Sequence, residues 1–216
     1  MPVYQAINTA FVHIPKTAGS SIANALYNKN KELSGVSYES SKHETILDIQ
    51  LYLGGNTIFM PYYKLSVIRN PWDRLVSWFS YYKKILSSGE IEIDPIQQSC
   101  IGDFLSMSFG DWVKNLRPTC NKCNSTSVDC PMIPLVPQTR YITDYGGFIL
   151  MDDIIRFESL EEGWRECADK IGIQDCKLSH LNKGGRKTYS EYYCNDSKKI
   201  VSEIYKNDIL NLNYCF

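Results

Sequence analysis

Histidine is scarce in this chain, with three residues in 216. Imidazole chemistry must therefore draw on His13, His43 or His180. Long apolar runs are absent too. No stretch approaches the roughly 18 consecutive apolar residues of a membrane span, so no transmembrane helix is expected. The opening "MPVYQAINTA" has neither a basic segment nor a long apolar one. The chain therefore reads as soluble and cytoplasmic by default. A piece of a Golgi-lumen enzyme parted from its leader would read the same way. Charge of one sign is not in excess either: 23 Lys and Arg stand against 24 Asp and Glu, a net charge of −1. That balance argues against nucleic acid as the main partner. Internal repeats and low-complexity tracts are lacking, and oligomeric state is not legible.

What is present is a globular composition, 44% hydrophobic and 22% charged. The length suits one domain spanning 1–216 and a core that needs no disulfides. Eight cysteines are many for such a chain. Three of them, Cys120, Cys123 and Cys130, crowd into "CNKCNSTSVDC". Zinc with Cys100 as a remote fourth ligand, local disulfides and plain thiols all remain open. The glycosylation patterns at Asn124 and Asn195 arise at about the chance rate and decide nothing.

Strand and helix patterns alternate along the chain. "TAFVHI" (9–14) reads as a buried strand stopped by Pro15, followed by a helix capped by Ser20 or Ser21. "ETILDIQLYL" (44–53) reads as a helix closed by Gly54 and Gly55. "YKLSVI" (63–68) reads as a strand running into a helix from Trp72 to about Leu86, with Leu75, Val76, Phe79, Tyr82 and Leu86 on one stripe. Residues 87–137, rich in Pro and Cys, read as a loop-rich insertion with short helical pieces near 101–106 and 110–116. Short strands are expected at 147–151 and 154–157. A Ser159–Glu162 capping box should open a helix to about Ile171, and a last helix should cover about 196–207. The pattern implies an α/β fold with a mainly parallel sheet.

Two strand-to-helix turns have unusual composition. In "PKTAGSS" (15–21), helix N-terminal amides, a lysine, a close-approach glycine and three hydroxyls together suit a phosphate or phosphosulfate. An ordinary capped helix with a surface lysine would also fit. A triphosphate loop, GxxxxGK[ST], is absent, because here the lysine precedes the glycine. In "VIRNPWDRLVS" (67–77), Arg69 ends the strand, Pro71 is preset for the helix start, and Ser77 lies about two turns along. An arginine with a serine reads phosphate well. Arg69 and Arg74 could equally be ion-pair partners of Asp73 or other acids.

Taken together, "HIPKTAGSSI" and "IRNPWDRLVSWF" resemble the 5′-phosphosulfate loop and 3′-phosphate motif of the sulfotransferase superfamily. The likeness is greatest to Golgi-type carbohydrate enzymes, including the heparan sulfate 2-O-sulfotransferases, and to their bacterial and viral relatives. "KHETILDI", "RFESLEEGW", "HLNKGGRKTYSEYY" and "DILNLNYCF" extend the resemblance over nearly the whole chain, except about 87–137. It implies a P-loop-kinase-like parallel sheet between helices. It also implies 3′-phosphoadenosine-5′-phosphosulfate (PAPS) as donor, PAP as product, no required metal, and a hydroxyl acceptor on a glycan.

By position, the resemblance gives Lys16 the phosphosulfate and the leaving oxygen, and Thr17, Ala18, Gly19, Ser20 and Ser21 the 5′-phosphate. Arg69 and Ser77 take the 3′-phosphate, with Lys183, Gly184 and Arg186 in a late loop on the same side. His43 matches the general base of the 2-O-type enzymes and is favoured over Glu44 or another acid. His13 could be a buried structural residue, and His180 could orient the late loop. A kinase on a similar fold and a non-catalytic glycan-binding module are the alternatives. The displaced lysine and missing magnesium motif count against the first, and the intact Lys16, Arg69, Ser77 and His43 against the second.

Overall fold

The computed structural model describes residues 3–38, 43–89, 98–118, 132–178 and 187–216. In chain order the elements are β1 (Val3–Tyr4), β2 (Thr9–Val12), α1 (Gly19–Glu32), β3 (Ser37–Tyr38), α2 (Ile46–Tyr52), α3 (Asn56–Phe59) and β4 (Tyr63–Ile68). There follow α4 (Pro71–Ser88), α5 (Gln98–Ser106), α6 (Phe109–Asn115), α7 (Thr139–Ile142), β5 (Asp153–Arg156), α8 (Leu160–Ile171), α9 (Asn195–Ile204) and α10 (Lys206–Asn211). The chain divides into two compact units. One comprises residues 1–69 and 138–184, the other 70–137 and 185–216.

The first unit is α/β. Its five-stranded sheet has the order β3-β1-β2-β4-β5. Parallel pairing of β2 with β4 and of β4 with β5 forms most of the ladder, and the short β1 and β3 close one edge antiparallel. Parallel strands need long crossovers, and α1 through α3 supply the one between β2 and β4. The core draws Phe11, Leu65, Val67 and Ile155 from the strands, Ile22 and Leu26 from α1, and Trp164 and Ala168 from α8. Gly163 lets α8 lie close on β5, since a Cβ there would sit 2.8 Å from Ile155 Cγ2. Register is pinned at the strand starts. Asp152 accepts from the backbone N–H of Lys64 (2.7 Å) and pairs with its buried ammonium (2.9 Å). Beside it, burial would raise the Asp153 carboxyl, but hydrogen bonds from Lys170 and Tyr63 prevail and hold it below its ordinary range.

The second unit is helical among its described residues. The stripe read on α4 is buried as expected, with Leu75, Val76, Phe79 and Tyr82 packed against Phe104, Trp112, Val201 and Tyr205. The pieces expected near 101–106 and 110–116 are α5 and α6. They supply Phe104, Phe109, Trp112 and Val113 to this core, which is why they fold rather than wander. Trp112 and Tyr82 are core residues.

Several boundaries differ from expectation, each for a local reason. The strand ends at Val12, because Thr17 donates its hydroxyl hydrogen to the Ile14 carbonyl (2.9 Å) and the chain turns there. No strand forms at 147–151. The Asp144 carboxylate accepts from the N–H groups of Gly146 and Phe148, making a turn, and only an isolated Thr143–Ile149 bridge remains. Ser159 stands at the start of α8 without a side-chain cap, since a 3₁₀ turn over Phe157–Ser159 leads straight into the helix. The final helix breaks at Tyr205 into α9 and α10. The cysteine cluster at Cys120, Cys123 and Cys130 lies outside the described residues, whereas Cys167, Cys176, Cys194 and Cys215 are free thiols.

One buried amide closes the sheet edge. Asn30, fully buried on α1, accepts from the Ala6 N–H (2.8 Å) and donates to the Gly35 carbonyl (3.0 Å) and Ser37 Oγ (3.0 Å). Removing it takes away these three part-buried hydrogen bonds, each with a net worth of about 0.5–1.5 kcal/mol. Asn30→Ala is expected to lower unfolding free energy by about 2–3 kcal/mol, read as a lower urea midpoint at unchanged slope.

Candidate active site

The site builds up from the carboxyl ends of the three parallel strands, the usual ligand-bearing edge of an open α/β sheet. After β2 the chain passes through buried His13 and Ile14 and then turns. Lys16 (φ 68°) and Ala18 (φ 64°) both adopt left-handed backbone, and Thr17 between them does not. Such alternation aims successive N–H groups into a common concavity, the kind that binds anions. Ala18, rather than Ser20 or Ser21, stands at the N-cap of α1, and no side chain caps it. The first-turn amides of α1 therefore end in a positive helix dipole without a serine lid. Thr17 is fully buried and directs its hydroxyl hydrogen at Ile14, so it shapes the turn.

Gly19 has a steric reason of its own. A Cβ there would lie 2.0 Å from Cδ2 and 2.4 Å from Nε2 of His13. The backbone approach this glycine permits is thus the approach of the His13 ring. That ring is itself confined, 5.9 Å from Phe11 and 4.7 Å, edge-on, from His43.

His43 lies two residues before Thr45, whose reciprocal cap with Asp48 fixes the start of α2. His43 Nδ1 is 2.8 Å from the His13 carbonyl oxygen. A carbonyl only accepts, so Nδ1 carries the hydrogen, and in the neutral ring Nε2 carries the lone pair. His43 is exposed while His13 is buried, so of these two imidazoles His43 is the one open to solvent.

After β4 comes Arg69, only 6% exposed. Its Nη1 donates to the Lys16 carbonyl at 3.1 Å. Its guanidinium lies over the Phe157 ring, 3.8 Å from the centroid, just past the end of β5. Its backbone N–H donates to Gln138 Oε1 (2.8 Å), and its carbonyl accepts from Gln138 Nε2 (2.8 Å). The structure thus brings together Lys16, Gly19, His43 and Arg69 within the first unit, along with His13, Gln138 and Phe157. Gln138 and Phe157 are not legible as site residues from spacing. Phe157 had one signal, its position at the end of the third parallel strand.

The remaining motif residues lie elsewhere. Ser77 is half-buried on α4 in the second unit. There Asn70 caps α4 through Oδ1 to the Trp72 N–H (3.0 Å) and donates Nδ2 to the Cys215 carbonyl (2.9 Å). Arg74 is 1% exposed and donates to the Val136 carbonyl (3.0 Å), so it is a buried residue of the second unit. His180, Lys183, Gly184 and Arg186 lie outside the described residues. Among the described residues no group of three or more His, Cys, Asp or Glu side chains is placed to hold a metal ion, and no helix is long and apolar enough to cross a membrane.

A family model described as the sulfotransferase family matches residues 5–215. The chain belongs to the sulfotransferase family. No curated protein and no solved structure gives a significant match. The match runs through both units and through the segment 87–137, where motif likeness was missing. As a sulfotransferase, the enzyme moves a sulfuryl group.

The Gly19–His13 packing can be tested directly. Gly19→Ala must push the confined His13 ring aside, and overpacking of this sort is expected to cost about 1–3 kcal/mol. Adding His13→Ala should recover at least about 1 kcal/mol of that loss in a double-mutant cycle, measured by chemical denaturation.

Proposed function

We propose that this sulfotransferase takes its sulfuryl group from PAPS and delivers it to a hydroxyl on a glycan. The observation that carries the donor assignment is the hydrogen bond from Arg69 Nη1 to the Lys16 carbonyl. It couples two cationic residues that the family motifs assign to opposite ends of one bis-phosphorylated nucleotide. A guanidinium has five N–H donors, enough to hold a loop carbonyl and an anion together. The alternating left-handed backbone at Lys16 and Ala18 fits the 5′ side.

PAPS supplies an electrophilic sulfur with a phosphate leaving group, and the chain's residues do the rest. Lys16 and the amides from Thr17 to Ser21 hold the 5′ end, and the lysine offsets charge where the bond breaks. Arg69 holds the 3′-phosphate; Ser77, Lys183, Gly184 and Arg186 share that task on motif position alone. His43, with Nδ1–H committed to the His13 carbonyl, receives the acceptor's proton at Nε2. The glycan assignment follows the carbohydrate-enzyme likeness of the motifs. The balanced charge of the chain favours no strongly anionic polymer over other glycans.

Titration calorimetry with PAP and incubation with radiolabelled PAPS across glycans, peptides and small alcohols test this reading. Saturable PAP binding and label transfer to a glycan are expected, and absence of PAP binding would sink it. Lys16→Ala should lower kcat by about 10²–10³-fold, whereas Arg69→Ala should chiefly weaken nucleotide binding.

The base has its own signature. His43→Asn should lower kcat by about 10²–10⁴-fold while PAP affinity stays within about twofold. A base must be unprotonated to act, so wild-type kcat should fall toward acid pH. That limb should vanish in the variant, and an unchanged pH profile would remove His43 from the mechanism.

A further inference from the structure

Gln138 is fully buried, although glutamine is rarely so. It begins no helix cap: at the start of α7 it stands at the N-cap in helical backbone, with no side-chain cap bond. Both ends of its amide engage Arg69. Oε1 accepts from the Arg69 N–H and Nε2 donates to the Arg69 carbonyl, both at 2.8 Å. Arg69 follows the last residue of β4, where the next strand would ordinarily take up these backbone groups, and β5 pairs with β4 only as far as Ile68. Gln138 thus continues the ladder by one residue with a side-chain amide, whose donor–acceptor pair matches that of a peptide edge. Two bonds to one backbone unit fix its rotation as well as its position. With the backbone fixed this way, and the guanidinium lying over Phe157 and bonded to the Lys16 carbonyl, the arginine is constrained at both ends.

From this geometry we infer that Gln138 is a positioning residue for 3′-phosphate recognition, acting through the backbone of Arg69. The inference rests on the donor reading given above. It makes a nucleotide with a 3′-phosphate the ligand whose affinity depends on Gln138, and one without it the ligand whose affinity does not. A merely structural glutamine would lower stability, or weaken all nucleotides alike.

The test compares PAP with 5′-AMP by calorimetry on the full chain. Wild type should prefer PAP. Gln138→Met keeps the length and shape of the side chain and drops both hydrogen bonds. It should cut the PAP-to-AMP affinity ratio by about tenfold, the order of one well-made charged contact, with AMP affinity nearly unchanged. In the Arg69→Ala background the same change should have little further effect on the ratio, because the two act as one unit. Should Gln138→Met fail to fold by circular dichroism, Gln138→Glu takes its place. It keeps the acceptor for the Arg69 N–H and loses the donor to the carbonyl, and its ratio should fall between wild type and Arg69→Ala. A folded variant with an undiminished ratio overturns the role of Gln138 and leaves the donor reading standing. Equal affinity of wild type for PAP and AMP overturns the donor reading itself.

Discussion

The hydrogen bond from Arg69 Nη1 to the Lys16 carbonyl joins the exits of β2 and β4. Much of the site geometry depends on it. Lys16 and Ala18 occupy left-handed backbone that costs a non-glycine residue about 1–2 kcal/mol each. A hydrogen bond from a charged group contributes about 1.5–3 kcal/mol. One such bond is therefore of the size needed to hold one strained residue, and the buried turn bond from Thr17 to Ile14 supports the other. The turn keeps its concave shape because these contacts outweigh the backbone's preference for relaxing it.

Preorganisation of this kind matters for sulfuryl transfer. Charge develops on the leaving oxygen only as the bond breaks, so donors already aimed there act without rearranging. A relaxed loop would have to close around the donor and lose part of its interaction energy in ordering itself. In the proposed site the ordering is done in folding. It is distributed over Arg69, the Gln138 amide that brackets its backbone, and the Phe157 face on which its guanidinium rests.

The parts legible in the sequence are those that repeat or carry punctuation. The period-3.6 stripe of α4 announced a buried helix, and Pro15 and Asn70–Pro71 marked the two strand exits. The lysine, glycine and arginine stood at those exits, so the residues just past both strand ends could be placed in advance. What could not be read is carried by single residues and long-range partners. Gln138 meets Arg69 across 69 positions of sequence, and nothing near it signals the pairing. The two-residue strands β1 and β3 are too short for any period to show. The strand expected at 147–151 had apolar residues enough, but one Asp144 carboxylate diverted its backbone into a turn. Local polar side chains overrode the pattern there, as such groups do wherever they offer backbone amides a nearer partner.

Gly19 shows how a glycine can have a steric reason other than the one its motif suggests. A glycine in a phosphate loop invites the explanation that a ligand must come close. Its missing Cβ is already accounted for by the His13 ring, which occupies that space in the folded chain. His13 in turn presents the carbonyl that fixes the tautomer of His43. The loop proposed to grip the phosphosulfate and the imidazole proposed to take the proton are thus braced on the same two-residue exit from β2. A change that shifts His13 by an ångström would move both together. Geometry between them is therefore set by covalent chain and close packing, which vary far less than the reach of a flexible side chain.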